Sequence, residues 1–379
     1  MVLEQMSWNS SKGWVRPQTS NGVKDPQLVL VFASTSQFKS PEQINALKEI
    51  FPSAGFMGCS TSGEIAGTSV SDESIVATAI QFEKGNLSFV SVPVHSSEDS
   101  FDCGQNLIDL LPKEGLRHVF VLSDGLNVNG SELVRGLRLN LPKEVAVTGG
   151  LAGDGADFKN TYILDKTGTP SSHMVTAIGF YGEDLHFGYG SFGGWDTFGI
   201  DRQVTKSKNN VLFEIDGQPA LSLYKSFLGE SANGLPASGL LFPLSMRTKA
   251  DELPVVRTIL SVNEEDQSIT FAGDLPEGSF VRMMKANTDR LIQGAVKAAE
   301  TTMVSDQTTT PDLAILISCV GRKLVLKQMV EEEVEGASEV LGAKQMTGFY
   351  SYGEISPFSE NAACELHNQT MTITTISER

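Results

Sequence analysis

The chain has 379 residues, room for two domains at roughly 100 to 200 residues each. Its 40% hydrophobic and 20% charged composition, with 36 Gly and 15 Pro, excludes wholesale disorder, a collagen-like repeat and a coiled coil. The balance of 29 Lys plus Arg against 46 Asp plus Glu leaves a formal charge of -17, which repels phosphate backbones and anionic lipid surfaces.

Residues 1–26 are polar and without period, and are expected to form an N-terminal arm or a late-docking edge. The opening MVLEQMSWNSSKGWVRPQ lacks the basic head and apolar stretch of a secretory signal. Apolar runs such as Leu28 to Ala33 and Leu313 to Ile317 fall far short of the roughly 20 residues of a membrane span. Cys59, Cys103, Cys319 and Cys364 are widely separated with no CxxC pair, as suits reduced thiols, and a cytoplasmic chain is expected.

From Gln27 a unit becomes visible. The buried-strand run LVLVFAS precedes the helical stretch PEQINALKEIF, then comes GFMGCSTSGEIAG, then the strand SIVATAIQF. The same order returns as HVFVLSDG, SELVRGLRL, VTGGLAGDG and MVTAIGFYG, and again as DLAILISCVGR, KQMVEEEVEGASEVL, TGFYSYGEISP and TMTITTI. The first and third occurrences share Gly58-x4-Gly63-Glu64-Ile65 and Gly348-x4-Gly353-Glu354-Ile355, whereas the middle one reads Gly149-x3-Gly153-Asp154. This pattern implies internal duplication and two related domains. Between them lie strand-rich segments with hairpin turns at Lys208-Asn209-Asn210 and Asp216-Gly217, and helices after Pro219 and after a capping Thr288. The fold class expected is mixed α/β (α+β), with sizeable mixed sheets built from a duplicated strand, helix, Gly-rich turn and strand.

GYGSFG (Gly188 to Gly193) satisfies the dinucleotide spacing G-x-G-x-x-G, but Gly194, Gly199 and β-branched residues follow where a helix must receive the pyrophosphate. A glycine-rich strand that lets a neighbour approach closely is the better account. GCSTS approaches a nucleophile elbow around Ser60, yet nothing brings a histidine to it, and Cys59 or Cys319 as nucleophile has the same gap. Glu64 and Glu354 occupy equivalent turns, where each carboxylate can accept backbone N–H bonds or contact a ligand. Arg322, at the end of an apolar strand, is placed to fork onto a carboxylate or phosphate, or else onto a local acid. No His or Cys cluster has zinc-like spacing. A single axial ligand for haem is open: His186 sits in LHFGYGSFGGWDTF, where Phe187, Tyr189, Phe192, Trp195 and Phe198 offer flat apolar walls, with His173 and His367 as other candidates.

GCSTSGEI, GGLAGDG, GWDTFG with VTKS and DGQPALSLY, SCVGR, GFYSYGEISP and HNQTM together resemble the FIST sensory family in its full form. The resemblance implies an N-terminal FIST domain at 27–217 and a C-terminal one at 218–379. It implies an intracellular sensory protein, not an enzyme, which binds a small ligand and signals through a separate polypeptide. The lead expectation is a haem-binding nitric oxide sensor, with haem as cofactor and His186 as iron ligand, that modulates a histidine kinase or a cyclic-di-GMP enzyme. One alternative is a haem-free sensor of an amino acid or other small anionic metabolite, with Arg322, Gly353, Glu354, Gly63, Glu64 and Asn368 as ligand-binding residues. A hydrolase-like enzyme using Ser60 or Cys59 is the second alternative. No nucleic-acid partner and no membrane insertion are expected.

Overall fold

The computed structural model describes residues 1–16, 22–249, 254–303, 310–358 and 363–379. The three apolar runs form Leu28–Ala33, Leu116–Ser123 and Leu313–Cys319, nearly every residue of which is buried. They lack the in/out alternation of a half-exposed strand because both faces of each sheet are covered. Each lies parallel to the next strand of its own unit, Gly55–Ser60, Ala146–Leu151 or Gln345–Ser351. On its other side each meets an antiparallel strand, Ile75–Gln81, Met174–Tyr181 or Met371–Glu378. The intervening helices, Glu42–Ile50, Gly130–Leu139 and Val330–Leu341, supply the crossover that a parallel pair requires.

The duplication is threefold. Each sheet has an outer strand beside its antiparallel one: Val2–Asn9, Asn86–Pro93 or Leu185–Phe192. Residues 2–9 are thus the first strand of the first copy, paired to residues 75–81 through Leu3↔Ile80 and Met6↔Ala77; of the two expectations for this segment, an arm or a docking edge, the strand corresponds to the second. The opposite edge of every sheet is filled by a hairpin from another copy. Glu64–Ala66 of the first copy pairs with Gln345–Ser351 of the third, Gly353–Pro357 of the third with Ala146–Leu151 of the second, and Ile163–Leu164 of the second with Gly55–Ser60 of the first. The exchange closes in a ring, so strands from 27–217 and 218–379 are interleaved in two of the three sheets.

The inner faces meet in one shared core that holds Phe32 and Cys59, Phe120 and Leu122, Ile315 and Phe349. Three outer clusters lie beneath the helices of each copy. A fourth sheet, formed by strands between residues 196 and 285, is inserted in the third copy and has a separate core with Tyr224, Leu244 and Phe271. Its hairpins turn at Asn209 and at Asp216-Gly217, all three with φ between 52° and 72°. The helix Thr288–Thr302 is capped by Asn287, whose side chain accepts the Arg290 amide, rather than by Thr288. Gly188 and Gly190 let the Leu185–Phe192 strand lie against the Thr302 and Ala298 carbonyls of that helix.

Candidate functional site

The carboxyl ends of the parallel strands carry equivalent networks. In the first copy Glu64 accepts hydrogen bonds from the Thr61 hydroxyl (2.5 Å), the Ser74 hydroxyl (2.5 Å) and the Ser74 amide (3.2 Å). In the third copy Glu354 accepts from Ser351 (2.6 Å), the Thr370 hydroxyl (2.9 Å) and the Thr370 amide (3.2 Å). Burial pushes Glu64 up to about 7 and Glu354 up to about 8, and these donors hold back part of the rise. Both carboxyl groups therefore staple a turn to the start of the antiparallel strand. The middle copy uses a different acid: Asp124 accepts from the Leu126 and Asn127 amides and, at 2.9 Å, from that of His173.

Just before that strand all three copies have a left-handed residue, Glu73 (φ 54), His173 (φ 56) and Gln369 (φ 61). The residue preceding it is Asp72 in the first copy and Asn368 in the third. Asp72 is paired with Lys323, whose ammonium also donates to the Ser62 carbonyl at 2.8 Å. Asn368 is fully buried, and neither its amide nitrogen nor its oxygen has a partner; the neighbouring Gln369 Oε1 and Ser191 Oγ are likewise unpaired. Buried polar atoms left this way point to a bound molecule or water.

Ser191 lines a cleft of about 720 Å3 between the inserted sheet and the third copy, which His367 and Thr370, on either side of Asn368 and Gln369, also line. Ser191, His367 and Thr370 line its polar side, Trp195, Val255, Met284 and Phe358 its apolar side, and Lys297 brings positive charge, while Arg290 is paired with Asp196. Thr370 links this cleft to Glu354. A second cleft of about 420 Å3 is lined by Glu64, Gly63, Ser34 and the exchanged loop at Asp154 and Lys159.

The remaining candidates fall elsewhere. Arg322 is fully buried: it donates through Nε and Nη2 to Glu333, at 3.1 and 2.7 Å, and to the carbonyls of Leu291 and Gly193. Its fork is spent on a local acid, and it lines neither cleft. Gly353 packs against Leu366 and Leu151. Cys59 and Cys319 are buried, with thiols pushed up by burial, and the Ser60 Oγ accepts the Tyr162 amide at 3.0 Å.

The three histidines are scattered. His367 is buried, its Nε2 2.8 Å from the Ser356 carbonyl, and burial lowers it to about 4. His173 is exposed and lies outside both clefts. His186 is exposed on an outer strand and shares a strand face with Gly188 and Gly190, whereas Phe187 and Tyr189 point to the other face. Phe187 stacks on His118 at 4.5 Å, Trp195 donates to the Gln369 carbonyl, and Phe198 packs in the inserted module. Phe187 and Tyr189 line the same cleft as His186, but Phe192 and Trp195 line the cleft at Thr370 and Phe198 belongs to the inserted module, so the five aromatic residues do not form one haem slot around His186. Among the described residues no cluster of three His, Cys, Asp or Glu is placed to hold a metal ion, and no helix is long and apolar enough to cross a membrane.

Sequence reasoning reached Glu64, Glu354 and Asn368, but missed Ser191, Lys297 and Thr370, which are brought together only by the packing of a distant helix and strand. Comparison with known proteins accords with the architecture. An uncharacterized protein of Methanocaldococcus jannaschii is 23% identical in a match 352 residues long that covers 86% of this chain and 65% of that protein, less than two thirds of its length. The FIST N domain model matches residues 27–218, more than half of the chain, and the FIST C domain model matches residues 220–357. FIST domains are in general sensory and signalling modules. With both models matched in order, this chain belongs to the FIST family.

Proposed function

We propose that the chain is a haem-free sensor of a small metabolite that binds in the 720 Å3 cleft between the inserted sheet and the third copy. The observation that carries this reading is the unpaired buried Ser191 Oγ on the wall of that cleft, with His367 and Thr370, the residues that flank Asn368 and Gln369, on the same wall. Lys297 favours an anionic ligand, the Arg290 charge being already paired with Asp196, and the apolar wall favours one with a hydrocarbon body. A ligand hydrogen-bonded to Thr370 competes with Glu354 for its hydroxyl, and so couples the cleft to the strand entry at Gln369. The signal passes by contact to a separate protein, with a histidine kinase or a cyclic-di-GMP enzyme as the partner class that the family resemblance implies. Catalysis by Ser60, Cys59 or Cys319 finds no support, since none lies beside a base in an open site. The proposed location is the cytoplasm.

Thermal unfolding against a panel of carboxylate metabolites tests the reading. A ligand at about 100 times its Kd stabilises by about 2.7 kcal/mol, and the rise in Tm is expected to vanish in Lys297→Ala and Ser191→Val. A flat response across the panel overturns it. Haem is tested separately: an intense Soret band after haem addition, lost in His186→Ala, would restore haem as the ligand.

A further inference from the structure

The second copy departs from the other two at a further buried position, besides Asp124. Leu28 and Leu313 stand opposite Gly55 and Gln345 in their parallel ladders, and the corresponding residue opposite Ala146 is His118. All three side chains are buried. Leucine fills this place with no polar atom to satisfy, whereas imidazole does not. His118 Nε2 lies 2.8 Å from Thr148 Oγ1, but Nδ1 has no partner. Burial lowers the group to about 3, so the ring is neutral at ordinary pH. One face is covered by Phe187 in a parallel stack at 4.5 Å.

His118 also lines a cleft of about 370 Å3 at the amino ends of the strands, the opposite end from the cleft at Thr370. Arg117, His186, Arg379 and Glu144 are among the other lining residues. Arg117 is exposed beside the buried Nδ1 and brings a guanidinium to the recess, whereas the charge of Arg379 is offset by its own terminal carboxylate and by Glu144.

We propose that this recess is a second binding site, for a small oxyanion, a carboxylate or a phosphate, that takes a hydrogen bond from His118 Nδ1 and charge pairing from Arg117. When the Thr148 hydroxyl donates to Nε2, the imidazole proton sits on Nδ1, and an oxyanion selects that tautomer. The site is independent of the metabolite cleft and stands or falls without it.

The test is thermal unfolding of the full chain with sodium phosphate or sodium acetate as probe, at ionic strength matched with chloride. The wild type is expected to gain Tm with at least one probe. His118→Leu, the residue carried by the other two copies, is expected to melt at or above the wild type without probe and to show no gain with it. Arg117→Ala, an exposed substitution that leaves folding intact, is expected to weaken the response about tenfold. A gain with phosphate alone, with acetate alone or with both assigns the oxyanion. No gain with either probe, or an undiminished gain in both variants, overturns the proposal. Should His118→Leu fail to fold, Arg117→Ala alone decides.

Discussion

Glu64 and Glu354, 290 positions apart, hold their turns through matching donors: a hydroxyl three residues earlier, Thr61 or Ser351, and the hydroxyl and amide of a strand-opening residue, Ser74 or Thr370. Burial raises both above the ordinary value of 4.5, to about 7 and about 8. The folded state therefore keeps protons that the unfolded chain has released. Their contribution is fully present below about pH 4.5 and is lost as pH rises through about 7 to 8. His118 and His367, lowered to about 3 and 4, act with the opposite sign and cost stability as pH falls below about 6.5. Tm is therefore expected to fall less between about pH 5 and 8 in Glu354→Gln than in the wild type. Parallel Tm-versus-pH curves for the two proteins would refute this assignment.

Gly58, Gly149 and Gly348 face Val31, Val121 and Leu316 across the three parallel ladders. A Cβ at any of them would overlap the backbone carbonyl oxygen opposite. Backbone cannot swing aside as a flexible side chain can, so each Gly→Ala substitution is expected to cost at least about 1 to 3 kcal/mol. Urea denaturation of the three variants measures this, and similar losses in all three are expected. Gly67→Ala, where nothing lies within 4 Å, is a control for the intrinsic effect of alanine at a positive φ of 58°.

Arg322→Ala is expected to destabilise by about 3 to 5 kcal/mol, because it strands the Glu333 carboxylate in the core. Arg322→Met combined with Glu333→Leu is expected to recover much of that loss. Chemical denaturation of the two variants distinguishes this structural ion pair from a ligand contact, which would leave stability without ligand unchanged.

All four thiols are buried, and burial raises the pKa of Cys59, Cys103, Cys319 and Cys364. A thiol-specific chromogenic reagent at neutral pH is expected to react with almost none of them in the native protein and with four in denaturant. Fast reaction of Cys59 or Cys319 under native conditions would revive the nucleophile reading.

The runs at Leu28, Val119 and Leu313 were legible because strands covered on both faces are apolar without interruption, and the glycine-acid spelling revealed the repetition. The ring of exchanged hairpins was not, since Ile65 and Gly348 meet across 283 positions and no local pattern encodes such a partner. The opening strand was hidden because its inward positions include Glu4, buried beside Arg16, where alternation calls for an apolar residue. For Arg322 the sequence leaves a ligand and a local acid equally open, because nothing in the acidic run Glu331-Glu332-Glu333 singles out Glu333 as its partner. Asn368 was found through family resemblance; its unmet hydrogen bonds are visible only in three dimensions.

The circular lending of hairpins makes the molecule indivisible. A polypeptide cut near residue 218 yields a front piece that keeps the lent strand at Ile163 but lacks the recipient of Glu64–Ala66, and a rear piece whose Gly353–Pro357 has nowhere to dock. Neither fragment can complete its own sheets, so the two are expected to remain insoluble when made apart and to reassociate when produced side by side.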